Sequence, residues 1–499
     1  MDQSESEGKN LELKGKTEKW AVIYKDYEEA KNWLNSDEMI LGIGTEKASS
    51  TEEFRILQEL KFSRVRAFVE FLGNPQDSFR SIHIAGTGGK GSTATMIEAL
   101  LRFAGERTGL HTSPYIQIPN EKLIMNGRMI APSEFTQEIH ALRSLRETFM
   151  QQHSEIIPLH ADIWMGLTFR FFQHQKVTWA VIETGMGGRL DATNVVNADV
   201  AVITNVDMDH VPELGTTLKE IAWHKAGIIK QGKPVVVGQI LPAALSVVAA
   251  EAEAKNAPLF LYGKDFWADN IRFVNNGMRA DFSTPFGNFA DIYVNLVGHY
   301  QAINAATAIM AVAVAAQQYD IALNREIVAG AMEAITFHGR MERMQDNPLV
   351  IIDGAHNPQK MAAAARALQS LYPDKNKTLV IGMVATKDAP GTLRPVLGLV
   401  NRVFATTPNL SWKPSYTAQE MSDMVKSIRP EIPVTDYNDV VTAVKQSIST
   451  SDANQLIFIT GSIYMLEHVR SLWYPIEEIL KELEHRANKD LFERFNFNQ

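Results

Sequence analysis

The sequence has no cysteine. That absence excludes disulfides, thiolate metal sites, cysteine nucleophiles and iron–sulfur clusters together. It fits a reducing compartment. No run of about 18 apolar residues is present, so a helical membrane span is not expected. Positive charge is in deficit: 49 Lys and Arg stand against 58 Asp and Glu, for a net charge of −9. A dedicated nucleic-acid binder usually shows the opposite balance. The first 19 residues are polar and charged without an apolar core, which reads as a flexible tail rather than a secretory signal. The expectation is a cytoplasmic protein with small-molecule partners and neither a nucleic acid nor a membrane among them.

The chain has 499 residues, 45% of them hydrophobic and 21% charged. This is ordinary globular composition, with room for several domains. Residues 20–74 read as helical, with segments Tyr27 to Leu34 and Thr51 to Phe71, and Gly73-Asn74-Pro75 stops the second. Short apolar runs then alternate with amphipathic helices. Strands are expected at Ser81 to Ala85, Thr178 to Ile182, Asp199 to Thr204 and Pro234 to Val237, and helices at Ser92 to Phe103, Ala161 to Phe172 and Leu218 to Ile228. Such alternation predicts an α/β fold with a parallel sheet wrapped by helices.

Residues 258–297 break the pattern with short alternating stretches punctuated by Gly263, Gly277 and Gly287, a small antiparallel insertion. An Ala-rich helix follows at Ala302 to Gln318. A second alternating series has strands at Leu349 to Ile352, Thr378 to Ile381, Arg402 to Ala405 and Leu456 to Ile459, and Pro475 to Phe497 reads as a charged terminal helix. The expected organisation is a tail at 1–19, a first domain at 20–338 and a second, smaller domain at 339–499.

Four segments carry chemistry. Ile82-His-Ile-Ala-Gly-Thr-Gly-Gly-Lys-Gly-Ser-Thr93 is an apolar strand running into a glycine-rich turn with Lys90 and then a helix. Glycines let backbone N–H groups approach phosphate oxygens, and the helix N-terminus and a lysine add positive charge. The spacing departs from the usual phosphate loop, because Gly91 separates Lys90 from Ser92. The plain alternative is a structural turn with a surface lysine. In Trp179-Ala-Val-Ile-Glu183 a strand ends in a carboxylate, where open α/β sheets gather ligands and where Mg²⁺ can be held against phosphates. The alternative is a Glu that caps the following loop. Thr204 to His210 follows a third strand, and His210 is either a metal ligand or a structural hydrogen-bonder. Downstream, Thr217 and Glu220 have capping-box spacing for a helix carrying Lys225. Leu349-Val-Ile-Ile-Asp-Gly-Ala-His-Asn-Pro358 ends a strand in Asp353, suited to a ribose hydroxyl, with His356 within reach of phosphate. Its alternative is a turn.

Taken in order, these motifs resemble the folylpolyglutamate synthase and dihydrofolate synthase family of ATP-dependent amide ligases, within the Mur ligase group. The resemblance spans roughly residues 40–470. It also rests on Thr112-Ser-Pro114, Asn120-Glu-Lys122, Asn126-Gly127, Lys225 to Lys230, Gly298 to Asn304, Gly339-Arg340 and Gly461-Ser-Ile-Tyr464. It implies a Mur-ligase-like P-loop ATPase domain followed by a Rossmann-like domain. The implied ATP contacts are Gly86, Thr87, Gly88, Gly89, Lys90, Gly91, Ser92, Asn304, Arg340 and Asp353. The implied metal ligands are Ser113, Glu183 and His210, for one Mg²⁺ or two. Lys90, Lys225 and His356 would be catalytic, with Lys225 open to carbamylation. Asp162 and Ser462 would face substrates. A site for a monovalent cation and a monomeric state are also implied. The expected reaction is transfer of L-glutamate onto a folate-type carboxylate through an acyl phosphate. Dihydrofolate synthesis, or the same ligation on another carboxylate, is the alternative.

Several positions depart from the family pattern. Gly88 replaces a usual Asn, Tyr115 a His, Lys122 an Arg, His224 a Glu and His338 a Pro. Leu159-His-Ala-Asp162, Glu59 to Phe62 and Pro408-Asn409 also differ, on the side expected to face the acceptor.

Overall fold

The computed structural model describes residues 3–40, 51–209, 211, 213–274, 277–408, 410 and 413–496. Two sheets organise the chain. The first contains β1 (Arg80–Ala85), β2 (Thr108–His111), β3 (Leu123–Met125), β4 (Arg128–Met129), β5 (Trp179–Glu183), β6 (Val200–Ile203), β7 (Val235–Val237) and β8 (Leu259–Leu261), in the order β4-β3-β2-β5-β1-β6-β7-β8. From β2 to β8 every pairing is parallel, while β2-β3 and β3-β4 are antiparallel. The central strands β1, β5 and β6 have their apolar side chains buried, as a sheet covered on both faces requires. Because β1 lies between β5 and β6, the loops after all three strands meet at one edge. That is the crevice where open α/β sheets bind ligands.

Strands β9 (Trp267–Val274), β10 (Gly277–Thr284) and β11 (Gly287–Val294) form a separate antiparallel sheet in the order β11-β10-β9. It packs on the Ala-rich helix His299–Gln318, whose small side chains let it lie against both this sheet and the helix Lys90–Phe103. The second large sheet contains β12 (Glu342–Asp346), β13 (Leu349–Ile352), β14 (Asn376–Ile381), β15 (Arg402–Thr406), β16 (Val434–Tyr437) and β17 (Gln455–Thr460), in the order β12-β13-β17-β14-β15-β16. All its pairings are parallel except β12-β13. The α/β class with two parallel-rich sheets is therefore as the alternation predicted.

The N-terminal stretch differs from the expectation, whereas the C-terminal helix lies where it was expected. A helix runs from Gln3 to Leu34, across the stretch read as a tail. The terminal helix Ile476–Asn496 returns to the first sheet's side of the molecule. Its Leu480 and Leu483 join the same apolar cluster as Tyr27, Leu34, Phe135 and Ile139. Trp20 Nε1 donates to Glu477 Oε1 at 3.1 Å, and Glu484 accepts from Ser133 N and Oγ at 3.1 and 2.9 Å. The second unit is thus strapped back onto the first.

Candidate active site

The glycine-rich segment follows β1 directly. Gly89 caps the helix Lys90–Phe103 with φ 77°, and a Cβ there would sit 2.5 Å from Asn304 Oδ1. Only glycine fits both the left-handed backbone and the close approach. The first intrahelical bond is Thr93 N to Gly89 O, so the N–H groups of Lys90, Gly91 and Ser92 have no acceptor within the helix. An acceptor for them has to come from outside the helix, as an anion at a helix N-terminus would supply. The N–H groups of Thr87 and Gly88 instead donate to Asn205 Oδ1 at 3.1 and 2.8 Å. Thr204 Oγ1 donates to Gly88 O at 2.6 Å. The loop is held by the segment after β6, through Asn205, which the sequence motif did not single out. A Cβ on Gly88 would meet nothing nearer than Asn205 Nδ2 at 3.5 Å, so the glycine there answers no steric demand.

Lys90 Nζ lies 3.2 Å from Gly86 O and 3.9 Å from Glu183 Oε1. Glu183 is buried at the end of β5, and its Oε2 accepts the Ser113 N–H at 3.0 Å. Burial pushes its carboxyl up, and Lys90 and the Ser113 N–H pull it back. Glu183, Ser113 and Lys90 therefore come together as the motifs implied. His210 lies outside the described residues, as does Asn409. Among the described residues no cluster of three or more His, Asp or Glu could hold a metal by itself. A buried carboxylate beside the Ser113 backbone still suits Mg²⁺, which takes few protein ligands and fills its octahedron with water and phosphate oxygens.

On the far side, Gln301 Nε2 donates to Ser92 Oγ at 3.3 Å and Asn304 Nδ2 donates to Gln301 Oε1 at 2.9 Å. This ties the helix His299–Gln318 to the phosphate loop. Asp353 directly follows β13, with Oδ2 accepting from Met341 N at 2.9 Å and Oδ1 from Ala355 N at 2.8 Å. Burial raises its carboxyl and the nearby Arg340 lowers it. Tyr300, half-buried beside the same pair, has its hydroxyl pushed up mainly by desolvation. A crevice of about 180 Å³ opens alongside, lined by Tyr300, Ile303 and Gln239 from the first unit and Ala363 and Arg366 from the second.

Lys225 is buried on the helix Leu218–Ala226, which begins in the Thr217–Glu220 capping box. Burial and the neighbouring Lys90 and Lys360 bring its ammonium down to about 7, against Asp209 and Asp191. His356 Nδ1 donates to Gly354 O at 2.8 Å and Nε2 accepts from Lys360 Nζ at 3.1 Å. That arrangement is the neutral imidazole, consistent with a pKa lowered by burial and by Lys360 and Lys387. Lys387 Nζ reaches Asp209 Oδ1 at 3.0 Å, with Lys360 3.9 Å from Oδ2. The two lysines connect the second unit to the loop before His210. Neither was apparent from the sequence, because each sits in a stretch with no motif spacing. Ser462 is buried after β17 with its Oγ unpartnered among the described residues, and Gly461 N donates to Ala355 O, which places it beside the His356 loop.

Asp162 belongs to a different corner. Its Oδ2 accepts from Leu159 N at 2.7 Å and from Arg64 Nε at 2.5 Å, so it caps the helix His160–His174 and anchors the helix Thr51–Phe71. Its Oδ1 is buried without a partner among the described residues. Two residues on is Trp164: Lys122 Nζ lies 3.7 Å from the centre of its ring, and its Nε1 donates to His160 Nε2 at 3.0 Å. Burial takes Lys122 down to about 7, while Asp191 and Glu183 act to raise it. This corner therefore adjoins the Glu183 end of the site.

Residues 84–312 match the Mur ligase middle domain, and residues 339–463 match the Mur ligase glutamate ligase domain. The folylpolyglutamate synthase of Lacticaseibacillus casei is 33% identical over 82% of this chain and 93% of its own length. The chain belongs to the folylpolyglutamate synthase and dihydrofolate synthase family. The dihydrofolate synthase/folylpolyglutamate synthase of Bacillus subtilis is 31% identical, again over 82% of this chain and 93% of its own. A solved Mycobacterium tuberculosis folylpolyglutamate synthase complexed with ADP aligns with a TM-score of 0.78 and 30% identity, covering 83% of this chain and 95% of that one. Family membership makes the chain an ATP-dependent amide ligase, and Lys90, Glu183 and Asn304 lie together around the loop after β1.

Proposed function

We propose that the protein joins L-glutamate to a folate-type carboxylate at the cost of ATP, through an acyl phosphate. The observation that carries this reading is the meeting of three groups at one crevice. These are the helix N-terminus with Lys90, the Glu183–Ser113 pair, and the Arg340–Asp353 pair of the second unit.

A carboxylate is a poor acyl donor because its leaving group would be oxide. Phosphoryl transfer from ATP converts that leaving group to phosphate. The N–H groups of Lys90, Gly91 and Ser92 and the Lys90 ammonium would hold the triphosphate and its developing charge. Asp353, with both oxygens already accepting backbone N–H groups, is oriented for a ribose hydroxyl, and Asn304 and Arg340 would complete the nucleotide site. Glu183, Ser113 and His210 would hold Mg²⁺, which when bound neutralises phosphate charge. The neutral His356 and Ser462 would line the place where the amino group of glutamate meets the acyl carbon. His356 Nε2, an acceptor in the neutral ring, would take the proton there. Asp162 would act from the Lys122–Trp164 corner, on the acceptor.

Lys225 fits carbamylation. An amine brought to about 7 is substantially neutral at physiological pH. Its lone pair can add to CO₂ with loss of one proton, giving an anionic carbamate among Lys90 and Lys360. The family resemblance further supports a cytoplasmic monomer with a monovalent cation near the site. The described residues contain no helix long and apolar enough to cross a membrane.

A second reading is dihydrofolate synthesis; the altered Leu159–Asp162 stretch points instead to the same ligation on another carboxylate. Phosphate release with Mg·ATP, tetrahydrofolate and L-glutamate, each omitted in turn, tests the choice. Release requiring both co-substrates, with a product heavier by one glutamyl group, supports the folate ligase. Release only with dihydropteroate supports the second reading. Release with neither acceptor refutes both.

A further inference from the structure

Arg470 ends the short helix Leu466–Arg470 and is buried, yet it touches none of the groups assigned above. Its Nε donates to Glu342 Oε1 and Oε2 at 3.0 and 3.3 Å. Its Nη1 donates to Gln117 Oε1. Gln117 is also buried, and its Nε2 donates to Ser471 Oγ at 3.1 Å and Tyr474 O at 3.0 Å. Gln117 lies four residues beyond Ser113, in the first unit. Glu342 begins β12 in the second, and its Oε2 also accepts the Gly339 N–H at 2.7 Å, next to Arg340. Gly339 has φ 65°, and a Cβ on it would lie 2.8 Å from Ile116 Cδ1 and 3.0 Å from Leu466 Cδ1. The linker between the units is thus gripped by one apolar residue from each side. Ile116 itself packs with the second unit's Ile352, Ile459 and Leu466.

We propose that Arg470 and Gln117 form a clamp that fixes the Ser113 loop relative to Arg340, and that both are positioning residues for the ligase reaction. The inference rests on the proposed function, which needs the phosphate end and the ribose end of ATP held by different units at once. Ser113 N bonds Glu183 at one end, and Asp353 bonds Met341 N at the other. The clamp joins the two stretches of backbone that carry these contacts. Misplacement of reacting groups by about 1 Å can cost 100-fold in rate, so a clamp that sets this offset acts on kcat. His338 Nδ1 lies 3.1 Å from both Glu342 Oε1 and Arg470 Nη2, accepting from the guanidinium or donating to the carboxylate, and the clamp closes in either case.

Gln117→Leu tests this most cleanly, because the Arg470–Glu342 ion pair survives it. Arg470→Met and the double variant complete a cycle. The clamp predicts that each single variant loses about tenfold or more in kcat, with KM for ATP changing less than threefold, and that the double variant loses little more than the worse single one. Hydrogen exchange supplies a readout independent of turnover. In Gln117→Leu, protection should fall together in residues 113–118 and 336–341, with the rest of both units unchanged. A lower melting temperature with kcat within twofold, or additive losses, would overturn the clamp. So would a fall in protection confined to residues 113–118. If the parent enzyme forms no amide with any acceptor, the proposed function fails, and the exchange pattern alone decides whether the clamp exists.

Discussion

Lys90 and Lys225 show how one residue type meets two environments in one crevice. Lys90 keeps contact with the Gly86 carbonyl and faces Glu183, a charged group among acceptors. Lys225 is more deeply buried, among other cations. Lys90→Ala should lower turnover by at least a factor of 100 while leaving the fold intact, checked by steady-state kinetics beside circular dichroism. Lys225 gives a pH prediction. Its folded pKa, about 7, lies below the ordinary lysine value of 10.5, so the unfolded chain binds more protons between these limits. Stability therefore rises with pH across that window, and the neutral amine that accepts CO₂ is favoured above pH 7 and lost below it. Labelled bicarbonate should give a carbamate signal in carbon NMR that weakens as pH falls below 7 and is absent in Lys225→Met. A signal unchanged in that variant would place the carbamate elsewhere. At this scale the sequence was informative where residues sit in motifs, as with Lys90, Glu183 and Asp353. It was silent on Asn205, Lys360 and Lys387, whose roles come from partners more than 100 residues away in the chain.

Elements obey the same division. Strand β13 and the helix Thr51–Phe71 lie where apolar runs and periodicity put them, because burial and turn residues both mark them. Strand β2 and the helix Pro132–Gln152 went unread. The strand is four residues with Gly109 inside it, and that glycine is required because a Cβ would meet the Phe172 ring at 2.9 Å, a contact no local pattern encodes. The phosphate loop makes the sharpest prediction for an element. Gly89→Ala forces a methyl into Asn304 at a left-handed backbone position. Nucleotide affinity should fall at least tenfold by calorimetry, whereas Gly88→Ala should change it less than threefold. Equal effects of the two would mean that loop geometry is not what binds phosphate. The terminal helix makes a stability prediction. Leu480 is fully buried against the first unit, so Leu480→Ala should cost about 2–5 kcal/mol in denaturant unfolding. A cost below 0.5 kcal/mol would show that the helix does not dock there.

The whole molecule is two α/β units whose carboxyl strand ends face one crevice. They are joined by the Asp209–Lys387 pair on one side, the Gln117–Arg470–Glu342 network at the linker and the terminal helix at the back. Composition and alternation were enough to read the α/β class. The return of the terminal helix was not legible, because its charged sequence hides a narrow apolar stripe until Tyr27 and Phe135 are seen beside it. Two units are what the proposed chemistry needs, one to make the acyl phosphate and one to bring the amine to it without water. The most direct test uses tetrahydrofolate whose glutamyl carboxylate carries heavy oxygen, with Mg·ATP and L-glutamate. An acyl phosphate passes one labelled oxygen to the released phosphate for each amide formed, and mass spectrometry of that phosphate should find it. Amide formation with unlabelled phosphate would contradict the account.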